Sequence, residues 1–298
     1  MTAGEKVVIV GAGPAGIATA IQLCRQGIEP VIVERDEIGG LLRNAALVEN
    51  YPGFPGGIRG RELVDLFTEQ LKRTAADVIA DEVLELELKN GGFQTKCRDR
   101  LIESDVVVIA SGTRPRSMPD AAISEKARPR VLYEVYTLLE AEGKRIVVAG
   151  AGDAAFDYAS GLLEKNEVVI MNRGWGRKCL PALWQKVRAS RSVAYMEHAR
   201  VQRVMDLKDG LLVEYVSGES RDSGVLEADY LLIAVGRDPC LDFVGGNLKG
   251  DLRVLAKTGR IHMVGDVKNG PYRQVGISVG DGLRAAMRIS QGDVGDEG

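Results

Sequence analysis

Lys6-Val7-Val8-Ile9-Val10-Gly11-Ala12-Gly13-Pro14-Ala15-Gly16-Ile17 is the stretch that decides the fold. Lys6 to Val10 is a run of β-formers without polar alternation, the pattern of a parallel strand buried on both faces. The glycines after it permit a tight turn and close backbone approach to a pyrophosphate, and Ile17 to Cys24 opens a helix whose N-terminus favours that anion. A lone G-x-G-x-x-G is weak, because glycine-rich turns recur in loops that bind nothing; the strand before and the helix after make this one specific. The next strand, Pro30 to Val33, ends in Glu34. It lies roughly 20 residues past the first glycine, where a carboxylate accepts hydrogen bonds from an adenosine ribose.

The plan recurs at Gly150-Ala151-Gly152-Asp153-Ala154-Ala155, after the strand Arg145 to Ala149. Two dinucleotide sites in one chain imply electron transfer between two cofactors. Ala155 replaces the last glycine, a tolerated change because only close helix-to-strand packing is at stake there. The second copy differs where its second strand, Glu167 to Met171, ends: Asn172-Arg173 follows, with no acid. A carboxylate would repel a 2′-phosphate and an arginine attracts one. Arg173 and Arg177 are therefore candidates for the adenosine 2′-phosphate, favouring NADP(H) over NAD(H); the competing reading is two ordinary solvated arginines.

With 298 residues, 45% hydrophobic and 27% charged, the chain has material for two modest cores, and two domains are expected. Val7 to Cys24 carries no charge, but Gly11, Gly13, Pro14 and Gly16 interrupt it, so it reads as strand, turn and helix and not as a membrane span. Met1 to Lys6 leaves no room for a signal peptide before the first core strand, which gives a cytoplasmic expectation. Cys24, Cys97, Cys179 and Cys240 are scattered with no C-x-x-C, and the only histidines are His198 and His262. Structural disulfides, a metal site and histidine-centred hydrolysis all lack support. The net charge of -3 hides a basic stretch from 171 to 203, where Arg173, Arg177, Lys178, Lys186, Arg188, Arg191, Arg200 and Arg203 face the single acid Glu197. It reads either as a surface that steers an acidic partner protein or as a solvated helical face; no nucleic-acid-binding motif accompanies it.

Along the chain, a glycine- and proline-rich loop at 37–61 precedes an amphipathic helix with Leu63, Leu66, Phe67 and Leu71 on one face. Strands are expected at Val83 to Leu88, Gly92 to Arg98 and Asp105 to Ala110, the first two joined by a hairpin at Gly91-Gly92. Ser111-Gly112-Thr113 is a small-residue turn at a strand's C-terminal end, suited to ligand contact. A connection at Pro115 to Pro129 sets a boundary, giving expected segments 1–116, 117–242 and 243–298. In the second, a hairpin turns at Lys208-Asp209-Gly210 and a buried strand spans Tyr230 to Val235. From Ile261 the chain resumes core character, passes Gly265-Asp266, and enters a last helix near Arg273-Gln274 that carries Val279, Leu283, Ala286 and Met287. Too short to stand alone, this segment should rejoin the first domain. The fold class is therefore α/β, two Rossmann-like dinucleotide-binding domains with the NAD(P) domain inserted into a discontinuous first one.

These marks, together with Gly39-Gly40-Leu41-Leu42, Glu49-Asn50-Tyr51-Pro52-Gly53-Phe54-Pro55, Ala110-Ser111-Gly112, Gly236-Arg237 and Tyr272-Arg273-Gln274, make the chain resemble the two-dinucleotide-binding flavoproteins. Within them it is similar to the low-molecular-weight thioredoxin reductases and the thioredoxin-reductase-like ferredoxin-NADP reductases. The resemblance implies FAD in the first domain, held by Gly11, Gly13, Pro14, Ala15, Gly16, Glu34, Arg35, Gly40, Leu41, Leu42, Asn50, Val83, Ser111, Gly112, Gly265, Asp266, Arg273, Gln274 and Val275. It implies NADPH, with NADH as the other donor, at Gly150, Gly152, Asp153, Ala154, Ala155, Asn172, Arg173, Arg177, Gly236 and Arg237. A helix opening at Arg273-Gln274-Val275 points N–H groups and a positive dipole end at the flavin, where reduction gathers negative charge. Hydride transfer to flavin needs alignment and no side-chain acid or base, so no catalytic side chain is expected. A homodimer is a family expectation.

Three departures qualify the resemblance. Thioredoxin reductases carry a C-x-x-C before the nucleotide strand of the inserted domain; here the segment is Tyr133-Glu134-Val135-Tyr136. The ferredoxin reductases place an aromatic extension over the flavin, and after Ser290-Gln291-Gly292 this sequence offers none, which predicts an uncovered flavin face. The usual His-Arg-Arg phosphate clamp has become Asn172-Arg173-Gly174. The expected function is hydride transfer between NAD(P)H and FAD with electrons passed to a small carrier such as ferredoxin, flavodoxin or a thioredoxin-like protein. A second reading makes the acceptor an external disulfide, with Cys179 beside the basic stretch. A third makes the chain a flavin-binding redox sensor whose nicotinamide site is non-productive.

Overall fold

The computed structural model of the chain describes residues 5–218 and 222–292. These form two compact α/β units. One contains the described residues up to Arg43, Val48–Arg114 and those from Asp238 onward; the other contains Asn44–Leu47 and Pro115–Arg237. The chain returns to the first unit at Asp238, ahead of residue 243, because the segment after it is bonded there: Cys240 N–H donates to Gly112 O at 3.0 Å and Ser111 Oγ to Cys240 O at 2.7 Å.

The first unit is built on a five-stranded parallel sheet in the order Ile261–Met263, Val106–Ile109, Val7–Val10, Val31–Glu34, Asp77–Ala80. Val7–Val10 and Val106–Ile109 are buried throughout, as strands covered on both faces must be. The edge strand Asp77–Ala80 is mostly exposed and polar at its start, which is why its sequence gave no strand signal. A three-stranded antiparallel sheet, Val83–Lys89, Gly92–Cys97 and Leu101–Ser104, packs Phe93 and Cys97 into the core. Its hairpin turns at Asn90-Gly91, both at positive φ (53° and 80°), one residue earlier than expected, since a two-residue turn of that hand needs left-handed backbone at both positions.

Helix Gly60–Lys72 buries Leu63, Val64 and Leu71 and half-buries Phe67. Leu66, expected on the same face, is exposed: at 3.6 residues per turn it falls off the stripe that these residues define. The closing helix Val275–Gln291 is corrected in the same sense. Its buried face is Ser278, Asp281, Gly282, Ala285, Ala286 and Ile289, while Leu283 and Met287 face outward. Small residues face inward because this helix lies hard against Pro14–Arg25; a Cβ at Gly282 would sit 2.3 Å from Ala15 O.

The inserted unit repeats the plan. Its parallel sheet runs Val131–Leu132, Tyr230–Ile233, Arg145–Ala149, Glu167–Met171, Val193–Met196, so the strand preceding the glycine turn is central in both units. A second sheet, Asp222–Ala228, Gly210–Ser217, Ala199–Leu207 and Ala122–Ile123, contributes Val201, Val204, Leu211 and Val213 to a core shared with Val147 and Leu231. Among the described residues no helix is long and apolar enough to cross a membrane.

Candidate functional site

In the first unit the glycine turn is fixed by close backbone approach. Gly11 stands at φ +104°, its N–H donates to Val33 O at 2.8 Å, and a Cβ there would lie 2.5 Å from Ala110 O. A Cβ at Gly16 would lie 2.0 Å from Gly11 O, so the helix seats on the turn only with glycine. At Gly13 the situation is reversed, for a Cβ would meet nothing within 4 Å. The turn thus presents bare backbone to open space at the start of helix Pro14–Arg25, where Pro14 gives up no donor and the first N–H groups have no intrahelical partner. Glu34 supports the turn from the neighbouring strand: Ala12 N–H donates to its Oε2 at 2.6 Å and Asp36 N–H to its Oε1 at 2.9 Å. A carboxylate has about four acceptor positions, so two remain for hydroxyl groups.

Gly39 N–H donates to Ala12 O at 2.8 Å, which lays the short helix Gly40–Asn44, with Leu41 and Leu42, across the turn. Arg35 and Asp36 open onto a recess of about 490 Å³ whose other walls are Ala80, Asp81, Glu82, Arg98 and Asp99, next to Val83. On the opposite side, Gly265 backs onto Ala15, and its N–H donates to buried Asp281 at 3.1 Å. Ser278 Oγ reaches Asp266 at 3.3 Å, and Asn50 Nδ2 donates to Gln274 Oε1 at 2.8 Å. Gln274 is the N-cap of the closing helix and Val275 its first residue, so Asn50 and Asp266 meet at that helix's N-terminal turn. Arg273 is half-buried beside them.

Sequence reading missed Asp281, which also takes Asn269 Nδ2 at 2.7 Å, Arg284 at 2.8 Å and Lys268 at 3.4 Å, and so locks the Gly265-Asp266 turn to the helix. Its only signal was a lone acid among the small residues of an inward helix face.

The second turn has the same geometry. Gly150 stands at φ +149° with its absent Cβ 2.3 Å from Ala234 O, and Gly152 is open within 4 Å. Ala155 is fully buried where the first copy has Gly16. Asp153 and Ala154 are exposed at the helix start, and Asp153 accepts Leu180 N–H at 2.7 Å. The loop after the second strand closes back on the turn: Gly150 N–H donates to Met171 O at 2.9 Å and Lys178 N–H to Ala151 O at 2.8 Å.

Two predicted binding residues in that loop are engaged in building it. Asn172 is buried; its Nδ2 donates to Gly176 O at 2.7 Å and Tyr195 Oη at 3.0 Å, and its Oδ1 accepts Gly174 N–H at 3.0 Å. Arg177 stacks its guanidinium over Trp184, 4.6 Å from the ring centroid. Arg173 is exposed at the mouth. Lys178, which the sequence offered only as one member of the basic stretch, is the residue whose backbone pairs with the glycine turn.

Gly236 stands at φ +118°, its carbonyl accepting Arg116 N–H at 2.9 Å. Arg237 donates to Glu134 Oε1 at 2.9 Å. The other Glu134 oxygen takes Asn44 Nδ2, and Asn44 Oδ1 accepts Tyr136 N–H at 3.1 Å. Burial, then the Glu134 charge, pushes the nearby Tyr158 phenol up, so it stays neutral. Cys179 is half-buried; burial and then Asp153 push its thiol up, away from thiolate reactivity.

Paired glycine turns on repeated parallel sheets define a class of two-nucleotide α/β proteins, and the chain belongs to the pyridine nucleotide-disulphide oxidoreductase family, whose model matches residues 5–282. Within it the chain is thioredoxin-reductase-like. It is 27% identical to thioredoxin reductase of Mycolicibacterium smegmatis, covering 94% of each chain, and 29% identical to that of Streptomyces coelicolor, covering 95% of this chain and 92% of the relative. The crystal structure of T. acidophilum thioredoxin reductase superposes with a TM-score of 0.83 at 27% identity, over 96% of this chain and 98% of the other. That of Lactococcus lactis thioredoxin reductase gives 0.85 at 24% identity, a likeness of fold, over 97% and 98%.

FAD and NADPH are the cofactors of this group. The residues present fit two dinucleotides: each unit pairs a glycine pressed against strand backbone with a second glycine open to space, the cradle that a pyrophosphate needs and that a side chain would fill.

Proposed function

We propose that the chain is an NADPH-dependent flavoprotein reductase that hands its electrons to a separate small carrier protein of ferredoxin or flavodoxin type. FAD belongs to the first unit and NADPH to the inserted one. The observation that carries this reading is Glu134. It stands where the related reductases are expected to carry a dithiol, and its carboxylate is taken up by Arg237 and Asn44. All four cysteines are free, and no two form a C-x-x-C. Bound FAD supplies the interchange between hydride and single-electron chemistry. The chain's own residues bind and orient. The Gly11–Gly16 turn and Glu34 hold the adenosine diphosphate end, while Asn50, Asp266 and the closing helix's first turn hold the ring end. That turn's N–H groups favour the negative charge of reduction. Gly150, Gly152 and Arg173 seat the donor, and the basic stretch from 171 to 203 steers an acidic carrier. We further read the protein as a homodimer working in the cytoplasm, where four unpaired thiols are at home.

A second reading keeps the donor and makes the acceptor an external disulfide, favoured by the names of the relatives. Anaerobic titration of the FAD-loaded protein with NADPH, and in parallel NADH, tests both. NADPH is expected to bleach the flavin stoichiometrically, and the reduced protein to reduce ferredoxin or flavodoxin at the same rate in wild type and Cys179→Ser. Transfer only to thioredoxin or a small disulfide, lost in Cys179→Ser, would replace the first reading by the second. No bleaching by either nucleotide, with dithionite still reducing the flavin, would leave a flavin-binding sensor.

A further inference from the structure

Trp175 stands at the apex of the loop that leaves the second glycine turn at Met171 and returns to it at Lys178. Its indole is 72% exposed, a large ring presented to water at the loop's tip. The ring is nevertheless held. The His198 ring packs against it with centroids 3.6 Å apart and planes 75° apart. His198 itself stands at φ +52°, a backbone region that non-glycine residues rarely adopt, and its N–H donates to Gly174 O at 3.3 Å. Asn172 braces the loop from within through Gly174 and Gly176. Gly174 and Gly176 flank the tryptophan, so no side chain adjacent in sequence covers it. Ring, loop and glycine turn all belong to the inserted unit.

We infer that Trp175 is the stacking platform for the adenine ring of the second nucleotide, with Arg173 beside it as the 2′-phosphate contact. The inference rests on reading the second turn as the NADPH site. A pyrophosphate on Gly150–Gly152 puts its adenosine over the end of the second strand, and that edge is the Asn172–Arg177 loop. Every base has a π-face, and an aromatic ring braced from one side and open on the other offers the matching surface. Arg173 is exposed two residues before the tryptophan in the same loop, while the Arg177 guanidinium lies over Trp184. A lost His-Arg-Arg clamp is thereby offset in affinity by stacking, which does not distinguish the two nicotinamide nucleotides; the charge at Arg173 does.

The test is calorimetric binding of NADP⁺ and of adenosine 2′,5′-bisphosphate to the FAD-loaded protein, with tryptophan fluorescence as a second readout. Trp175→Ala is expected to raise Kd about tenfold for both ligands, because both carry the adenine. Trp175→Phe should stay within about threefold of wild type while losing most of the fluorescence quenching on binding. Unchanged Kd in Trp175→Ala, or a loss for NADP⁺ without one for adenosine 2′,5′-bisphosphate, would overturn the platform and leave the NADPH site standing. If the wild type binds neither ligand while keeping its FAD, the second-site reading itself fails and the platform with it. Trp175 is exposed, so neither variant is expected to lose the fold.

Discussion

The two glycine turns are one scaffold carrying two different edges. In both, the first glycine is pressed against the backbone at the end of the adjacent parallel strand, with virtual Cβ distances of 2.5 Å at Gly11 and 2.3 Å at Gly150, and the middle glycine is open. At the end of the second strand they part. Glu34 turns its carboxylate back onto the first glycine turn, receiving Ala12 N–H, and brings negative charge to that strand end. Asn172 turns its amide into its own loop and leaves Arg173 and Trp175 to face outward. The backbone geometry of a dinucleotide turn is thus conserved by sterics, whereas which dinucleotide it prefers is decided by a few side chains at one strand end.

The sharpest way to break this comparison is at the one glycine the two turns do not share. Gly16→Ala puts a methyl 2.0 Å from Gly11 O, a backbone atom with nowhere to go, whereas Ala155 already fills the equivalent place in the second turn. Gly16→Ala is expected to cost about 3 kcal/mol and to abolish FAD retention. The reciprocal Ala155→Gly is expected to cost about 1 kcal/mol and to leave flavin content unchanged. Chemical denaturation and the flavin-to-protein absorbance ratio decide it. Equal losses in the two variants would mean that the turns are not equivalent in packing.

Charge at the strand end gives the next largest effect. Arg173 is exposed, so Arg173→Glu leaves the core intact and makes the second edge anionic like the first. Attraction to a 2′-phosphate becomes repulsion. The Kd for NADPH should rise at least tenfold, about 1.4 kcal/mol, with little change for NADH, and the difference should shrink in high salt. Parallel titrations with the two nucleotides measure it, and an unaltered ratio would return Arg173 to the class of ordinary solvated arginines.

Most of the frame was legible because its signals are local. Uninterrupted apolar runs of β-formers such as Val7 to Val10 and Val106 to Ile109, bounded by turn residues, read as strands covered on both faces, and the strand before and helix after each glycine turn make its spacing specific. The return of the closing segment to the first unit followed from its size. What could not be read was set by tertiary contact. The inward face of the closing helix is its small residues, because Gly282 lets Ala15 approach, so Leu283 and Met287 point outward against their hydrophobicity. Asn172 and Arg177 also carry contacts the sequence does not announce: Asn172 donates to Tyr195 Oη, and the Arg177 guanidinium lies over Trp184. Asp281 gave almost no signal, since one acid in a helix cannot announce the four partners that the fold brings to it.

The smallest effect expected is an acid-limb difference at the recess beside Arg35. Asp81 is buried in the wall of the recess beside Arg35. Burial alone pushes its carboxyl up. The N–H groups of Glu82 at 2.7 Å, Asp99 at 3.3 Å and Arg98 at 3.1 Å, with Arg100 at 3.5 Å, outweigh that and hold it below the ordinary carboxylate value. A carboxyl whose folded value is lowered binds its proton more readily when unfolded. Its contribution is therefore complete above the unfolded value of about 4 and is lost as pH falls through the folded one. Asp81→Asn should accordingly be less stable than wild type at pH 7, and the gap in urea midpoint should close below about pH 4. Nothing in the cationic edge of the second site behaves this way, so Arg173→Glu should leave the acid limb of wild type unchanged. A gap between Asp81→Asn and wild type that stays constant from neutral to acid pH would mean that the Asp81 side chain acts through its shape and hydrogen-bond count, and that its charge contributes nothing to holding the recess.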